Sequence, residues 1–265
     1  MPHAIKMQDK YGKDGFVALL LESQGLDASD IPGFMWKRFP TNKTWLSTSG
    51  DAPFQMTGGG LPHAALVGVD GTLLWEGNPN GAPKKIEEMV EAELKKSKSG
   101  WGKGAIAKKA RGLLYGKNAF VDAAKVVADA LANAKDDEKE DLEAVAREIE
   151  LRREAFKKAP KVLSEDARYL EGVKAAENYA KWVKGNPEWE NEANAIVLDF
   201  QRPEIVKELD LEKGLKKILA SAGDKAPTAD LAKSLRTFAK KNDGSRMAAR
   251  ATLLAAAAEF DPNKK

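Results

Sequence analysis

The sequence predicts an α/β domain over residues 1–98, followed by an all-α domain over residues 105–265. Three observations carry this division. Residues 16–21 read Phe-Val-Ala-Leu-Leu-Leu, a short apolar run of the kind that forms a buried, parallel strand. Residues 63–69 and 72–76 are apolar segments on either side of Asp70 and Gly71, a strong two-residue hairpin signal. Beyond Gly104 strand signals stop, and alanine-rich segments with helical periodicity take over.

Each element follows from local chemistry. The run at 16–21 is entered through Gly15 and left at Glu22-Ser23-Gln24-Gly25. Asp27 and Asp30 offer capping side chains and Pro32 suits a first helical turn, so a short helix is expected over 31–39, ending before Pro40. Residues 41–60 mix Asn, Thr, Ser and Gly with Trp45, Phe54 and Met56, which reads as a long loop with some apolar anchoring. After the hairpin, Ile86, Met89, Val90 and Leu94 fall on one face of a helix expected over 84–96. The glycines at 100, 102 and 104 around Trp101 mark the domain boundary.

In the second domain Phe120, Ala123, Val127, Leu131 and Ala134 share one helical face. Leu142, Val145, Ile149 and Phe156 share another, and Tyr169, Val173, Ala176, Ala180 and Val183 a third. Breaks are expected at Ala159-Pro160, Gly185-Asn186-Pro187, Arg202-Pro203, Gly223, Pro227 and Asp243-Gly244. No fixed repeat period holds across them.

Composition narrows the function. Basic and acidic residues number 43 and 40, a balance that argues against a nucleic-acid-binding surface. No apolar run approaches the roughly 20 residues that span a bilayer, and the first residues lack a signal-peptide pattern. The chain has no cysteine, which removes disulfides, thiolate nucleophiles and thiolate metal sites together. With only His3 and His63 as imidazoles, and no EF-hand-like carboxylate spacing, no metal and no cofactor are expected. His63 has no serine, cysteine or paired carboxylate placed beside it by a motif, so it reads as a groove or sheet-edge residue rather than a general base. Gly58, Gly59 and Gly60 do not open a helix and are expected to give a flexible approach to Pro62, not a phosphate cradle. Asp136, Asp137 and Glu138 read as a solvated helix start, and the six tryptophans as separate packing anchors.

The stretch Gly58-Gly59-Gly60-Leu61-Pro62-His63-Ala64-Ala65-Leu66-Val67-Gly68-Val69-Asp70-Gly71-Thr72-Leu73-Leu74-Trp75-Glu76-Gly77 resembles the second half of a TlpA-like or redoxin-type thioredoxin domain. In that family a proline precedes a strand, an Asp-Gly hairpin and a second strand ending in Trp-x-Gly. The resemblance implies a cis bond before Pro62, with Leu61 presenting backbone groups to an extended protein or peptide substrate, so Leu61, Pro62 and His63 are the candidate substrate-binding residues. Met1-Pro2-His3 and the residues to Gly15 resemble the helix that follows the family's Cys-x-x-Cys. Met1 is then an internal position, and the strand and dithiol before it are expected to lie upstream. The fold the resemblance implies is an incomplete thioredoxin-like domain with no catalytic residue of its own.

Two functions stay open at this level. The first is a thiol-disulfide oxidoreductase relative that is redox-inactive as written; an export signal upstream would place it in the cell envelope or periplasm. The second is a non-catalytic module whose groove binds an extended peptide while the helical domain supplies another interaction surface.

Overall fold

The computed structural model describes residues 2–21, 27, 29–39, 45–47, 60–223 and 225–261. It is mostly helical. The first part of the chain runs α1 (Pro2–Tyr11), β1 (Leu19–Leu21), α2 (Ile31–Arg38), β2 (Trp45–Ser47), β3 (Ala64–Val67), β4 (Leu73–Gly77) and α3 (Pro83–Ser99). Eight helices follow among the described residues: α4 (Ala105–Arg111), α5 (Phe120–Leu131), α6 (Asp136–Glu165), α7 (Tyr169–Trp182), α8 (Pro187–Asp199), α9 (Pro203–Ala220), α10 (Ala229–Lys241) and α11 (Arg246–Glu259). A π-helical turn, Gly112–Gly116, extends α4. The expected helical character after Gly104 is therefore observed.

The strands form two separate two-stranded sheets. β1 pairs in parallel with β2, Leu19 opposite Trp45, and β3 pairs antiparallel with β4, Ala64 opposite Gly77. Three expectations change. β1 is half the length of the apolar run that predicted it, and its partner β2 comes from the stretch read as loop, most of which lies outside the described residues. The hairpin turn is longer than two residues: the Gly71 amide donates to the Gly68 carbonyl at 3.0 Å, and Gly68 donates to Thr72 at 2.8 Å. Gly71 sits at φ 81°, the left-handed position that follows such a turn and that glycine adopts without penalty. Finally, α6 runs straight through Pro160, where a break was expected. Proline removes one amide donor, but Pro160 is fully buried, and its carbonyl accepts from the Ser164 hydroxyl at 3.1 Å.

The chain forms two compact units. The first comprises Met1–Val17, Ala52–Lys158 and Glu177–Asn194; the second comprises Ala18–Asp51, Ala159–Ala176 and Ala195–Lys265. The glycine-rich segment 100–104 lies inside the first.

In the first unit one cluster joins Met7 and Tyr11 of α1 to Ile86 and Val90 of α3, with Leu66 and Trp75 of the hairpin packed on it. A larger cluster holds Ala107, Leu114, Phe120, Val127, Leu142, Val145 and Ile149, flanked by Phe156, Trp182 and Trp189. Glycines bring α3 and α4 into backbone contact. A Cβ on Gly100 would lie 1.8 Å from the Lys108 carbonyl, one on Gly112 would lie 3.3 Å from that of Ser99, and one on Gly116 would lie 3.1 Å from that of Lys98. Beside this seam the buried Arg111 donates through Nε to both carboxylate oxygens of Glu148, at 3.1 and 3.0 Å, and through a terminal nitrogen to Glu148 again at 2.7 Å. Its other terminal nitrogen donates to Asp141 at 2.9 Å and to the Trp101 carbonyl at 3.1 Å.

In the second unit Leu215, Leu231, Leu235, Met247, Ala251 and Ala255 form the core, with Trp36 of α2 against it. Gly33 of α2 admits the Phe260 side chain, to which a Cβ would approach within 2.4 Å. The start of α11 is capped twice: Ser245 accepts from the Ala248 amide, and Glu208 accepts from the Arg246 and Met247 amides.

Candidate functional site

The site begins from the hairpin. Alternation along β3 and β4 sends Leu66 and Trp75, which lie opposite one another, into the cluster shared with α1 and α3. The opposite face carries His63, Ala65 and Glu76. Glu76 pairs with Ala65, and His63 lies two residues before Ala65, so the two side chains form a diagonal cross-strand pair. The His63 ring nitrogen Nε2 lies 2.8 Å from Glu76 Oε1, and the side chains are 7% and 12% exposed. At that burial each polar group requires a partner, and the pair supplies it.

Leu61 and Pro62 stand just before this pair, and the Leu61–Pro62 peptide bond is cis. Both residues are exposed, Leu61 by 59%. Further along the hairpin, Val67 and Leu73 lie opposite each other and are each 49% exposed. Apolar side chains therefore line the hairpin at both ends. The three expected substrate-binding residues are contiguous, with His63 turned into the structure and Leu61 turned out.

Carboxylates fix the hairpin on α3. Glu93 accepts from the Val69 amide at 2.8 Å, and Asp70 pairs with Lys96 at 2.7 Å while accepting from the Thr72 amide at 3.0 Å. The Lys96 ammonium, followed by the Thr72 amide, holds the Asp70 carboxyl well below the usual carboxylate range. On α1, the Tyr11 hydroxyl lies within hydrogen-bond reach of both Glu91 and Glu87, the latter at 2.9 Å, and has one proton to give them; Lys10 pairs with Glu87 at 2.7 Å. Burial and the Glu91 hydrogen bond push the Tyr11 hydroxyl above its ordinary value.

Glu76 is the residue the sequence reading missed. No motif links position 76 to 63; the hairpin register does, by placing Glu76 diagonally across from His63. The arrangement pairs the His63 imidazole with a carboxylate on the hairpin. The chain has no thiol, and no group of three His, Cys, Asp or Glu residues among those described could hold a metal ion. No helix among the described residues is long and apolar enough to cross a membrane. No known protein family, curated protein or solved structure matches the chain.

Proposed function

We propose that α1, the β3–β4 hairpin and α3, within residues 1–98, form a thioredoxin-like module related to TlpA-like thiol-disulfide oxidoreductases, and that in this cysteine-free chain the module holds an extended protein segment rather than exchanging disulfides. The observation that carries the reading is the shared core of α1, the β3–β4 hairpin and α3, with Leu61 and Pro62 exposed at the head of β3. The resemblance assigns that same loop to substrate contact. Among the described residues β3 pairs only with β4, leaving its other edge to accept main-chain hydrogen bonds from an added strand. Leu61 and Val67 provide apolar contact for alternate side chains of such a segment. Catalysis of disulfide exchange requires a thiolate, which this chain lacks.

Two measurements test the reading. The purified chain is expected to give no insulin-disulfide reduction above buffer, and to bind reduced, carboxymethylated α-lactalbumin with amide perturbations concentrated at residues 61–67. Leu61→Asp should weaken that binding several-fold without unfolding the hairpin. Turnover by the cysteine-free chain, or binding indifferent to Leu61→Asp, overturns it.

A further inference from the structure

The near-even charge balance of the whole chain conceals a strongly basic corner. Residues 94–121 contain eight basic side chains and no acidic one. Three are neutralised by partners elsewhere in the first unit: Lys96 by Asp70, Lys98 by Asp14 at 2.7 Å, and Arg111 by Asp141 and Glu148. The other five, Lys95, Lys103, Lys108, Lys109 and Lys117, are exposed and make no ion pair among the described residues. They come from both sides of the glycine seam. Because Gly100, Gly112 and Gly116 let the chain at 98–100 lie directly on the backbone of 108–116, the five lysines come from segments packed on one another, Lys95 lying beside Asp14 and Glu91. The helix dipole favours a cation in the last turn of α4, at Lys108 and Lys109, but mutual repulsion disfavours gathering five unpaired lysines within these segments.

We propose that this corner docks on an anionic lipid bilayer. The side chains available choose among polyanions. All five unpaired cations are lysines, point charges without the planar fork by which arginine reads phosphate and base edges. The aromatic residues present, Trp101 and Tyr115, pack against each other with centroids 4.7 Å apart and planes tilted by 49°, with Arg111 over Trp101 and Arg152 over Tyr115, so they offer no platform for bases. No large apolar side chain from 95 to 117 is among the strongly exposed ones, so nothing there wedges into DNA or inserts into acyl chains. A layer of anionic headgroups asks only for clustered point charges within a Debye length. The patch also ends abruptly. Residues 136–150 carry eight acidic and two basic side chains, and Asp141 already touches the Lys103 amide and Arg111. A long polyanion tracking past the corner meets those carboxylates, whereas a membrane needs only the corner itself.

Co-sedimentation of the full chain with vesicles of phosphatidylcholine, with and without phosphatidylglycerol, tests the proposal. Binding is expected only to the anionic vesicles and should vanish at about 1 M salt, where the Debye length falls to roughly 3 Å. Each lysine near an anionic surface contributes about five-fold in partitioning, from about 1 kcal/mol apiece. Changing Lys95, Lys103, Lys108, Lys109 and Lys117 together to Gln should therefore lower the partition coefficient about three-thousand-fold. A control with Lys207, Lys217, Lys233, Lys240 and Lys241 changed to Gln alters net charge equally and should bind nearly as the parent does. Equal loss in both variants shows a net-charge effect and overturns the proposal. So does duplex DNA binding with the same lysine dependence while phosphatidylglycerol vesicles bring down no protein, which assigns the corner to nucleic acid.

Discussion

Replacing Arg111 with Leu should destabilise the first unit by about 3 kcal/mol, the lower end of the range for breaking a buried ion pair. The magnitude follows from what the guanidinium leaves behind. Arg111 is 5% exposed and meets two carboxylates and the Trp101 carbonyl. Asp141 and Glu148 are 13% and 26% exposed, so after the substitution they regain some water but not all of it, which sets the cost near the bottom of the range. Neutralising the orphans as well, with Asp141→Asn and Glu148→Gln in the Arg111→Leu background, should recover more than half of the loss, because the penalty belongs to uncompensated charge. Arg153 is the internal comparison. It is 7% exposed, but its carboxylate partners Glu150, Glu154 and Glu192 are 53%, 32% and 30% exposed, so Arg153→Leu should cost less. Urea unfolding with unchanged m-values measures all of these variants. A loss below about 1 kcal/mol for Arg111→Leu, or a larger loss for Arg153→Leu, would refute the reasoning.

Acid should weaken the first unit through Asp70 and Asp141. Burial opposes ionisation of Asp141, but the Arg111 hydrogen bond and the Lys103 amide outweigh it, so its carboxyl, like that of Asp70, is depressed in the folded state. Their contribution is complete above the unfolded value of about 3.9 and is lost as pH falls below it, so Asp70→Asn together with Asp141→Asn should flatten the decline in melting temperature under pH 4. Gly100→Ala should cost at least about 2 kcal/mol, because φ 80° with ψ 161° is a conformation essentially confined to glycine, costing about 1–3 kcal/mol, and the seam must also open; a thermal shift near zero contradicts the packing described. Amide exchange should be faster at residues 16–21 than at 169–183. β1 is a three-residue strand with Leu19 52% exposed, whereas Tyr169, Ala176, Tyr179 and Val183 are buried, so uniform slow exchange would contradict this ordering.

How much of this was legible varies with the range of the forces involved. Phe120, Ala123 and Val127 were readable as a core face because helical period is local, and all three are 2% exposed or less. The hairpin was readable from Asp70 and Gly71, although its turn length depended on the left-handed step at Gly71. β2 was hidden because Trp45-Leu46-Ser47 is a short piece amid Asn, Thr and Ser, and only its pairing with β1 makes it a strand. The uninterrupted α6 was misread because a proline inside a helix is judged by the lost hydrogen bond, while the packing that retains Pro160 is tertiary. The Arg111 network was invisible for a plainer reason: Glu148 lies 37 residues away, and no local pattern pairs them. For the candidate site, Leu61, Pro62 and His63 are proposed through resemblance, whereas the pairing of His63 with Glu76 is set by the register.

The glycine seam has a bearing on kinship. Exposed lysines drift, and short strands lose recognisable sequence early, but Gly100, Gly112 and Gly116 must change in concert or not at all, since each admits the backbone of the opposing segment. Tryptophan and tyrosine at 101 and 115, in contact across the same seam, are held by the same geometry. A distant relative of this chain would be recognised first by glycines at that spacing with an aromatic residue beside the outer two, before any likeness in its strands or its charge could be seen.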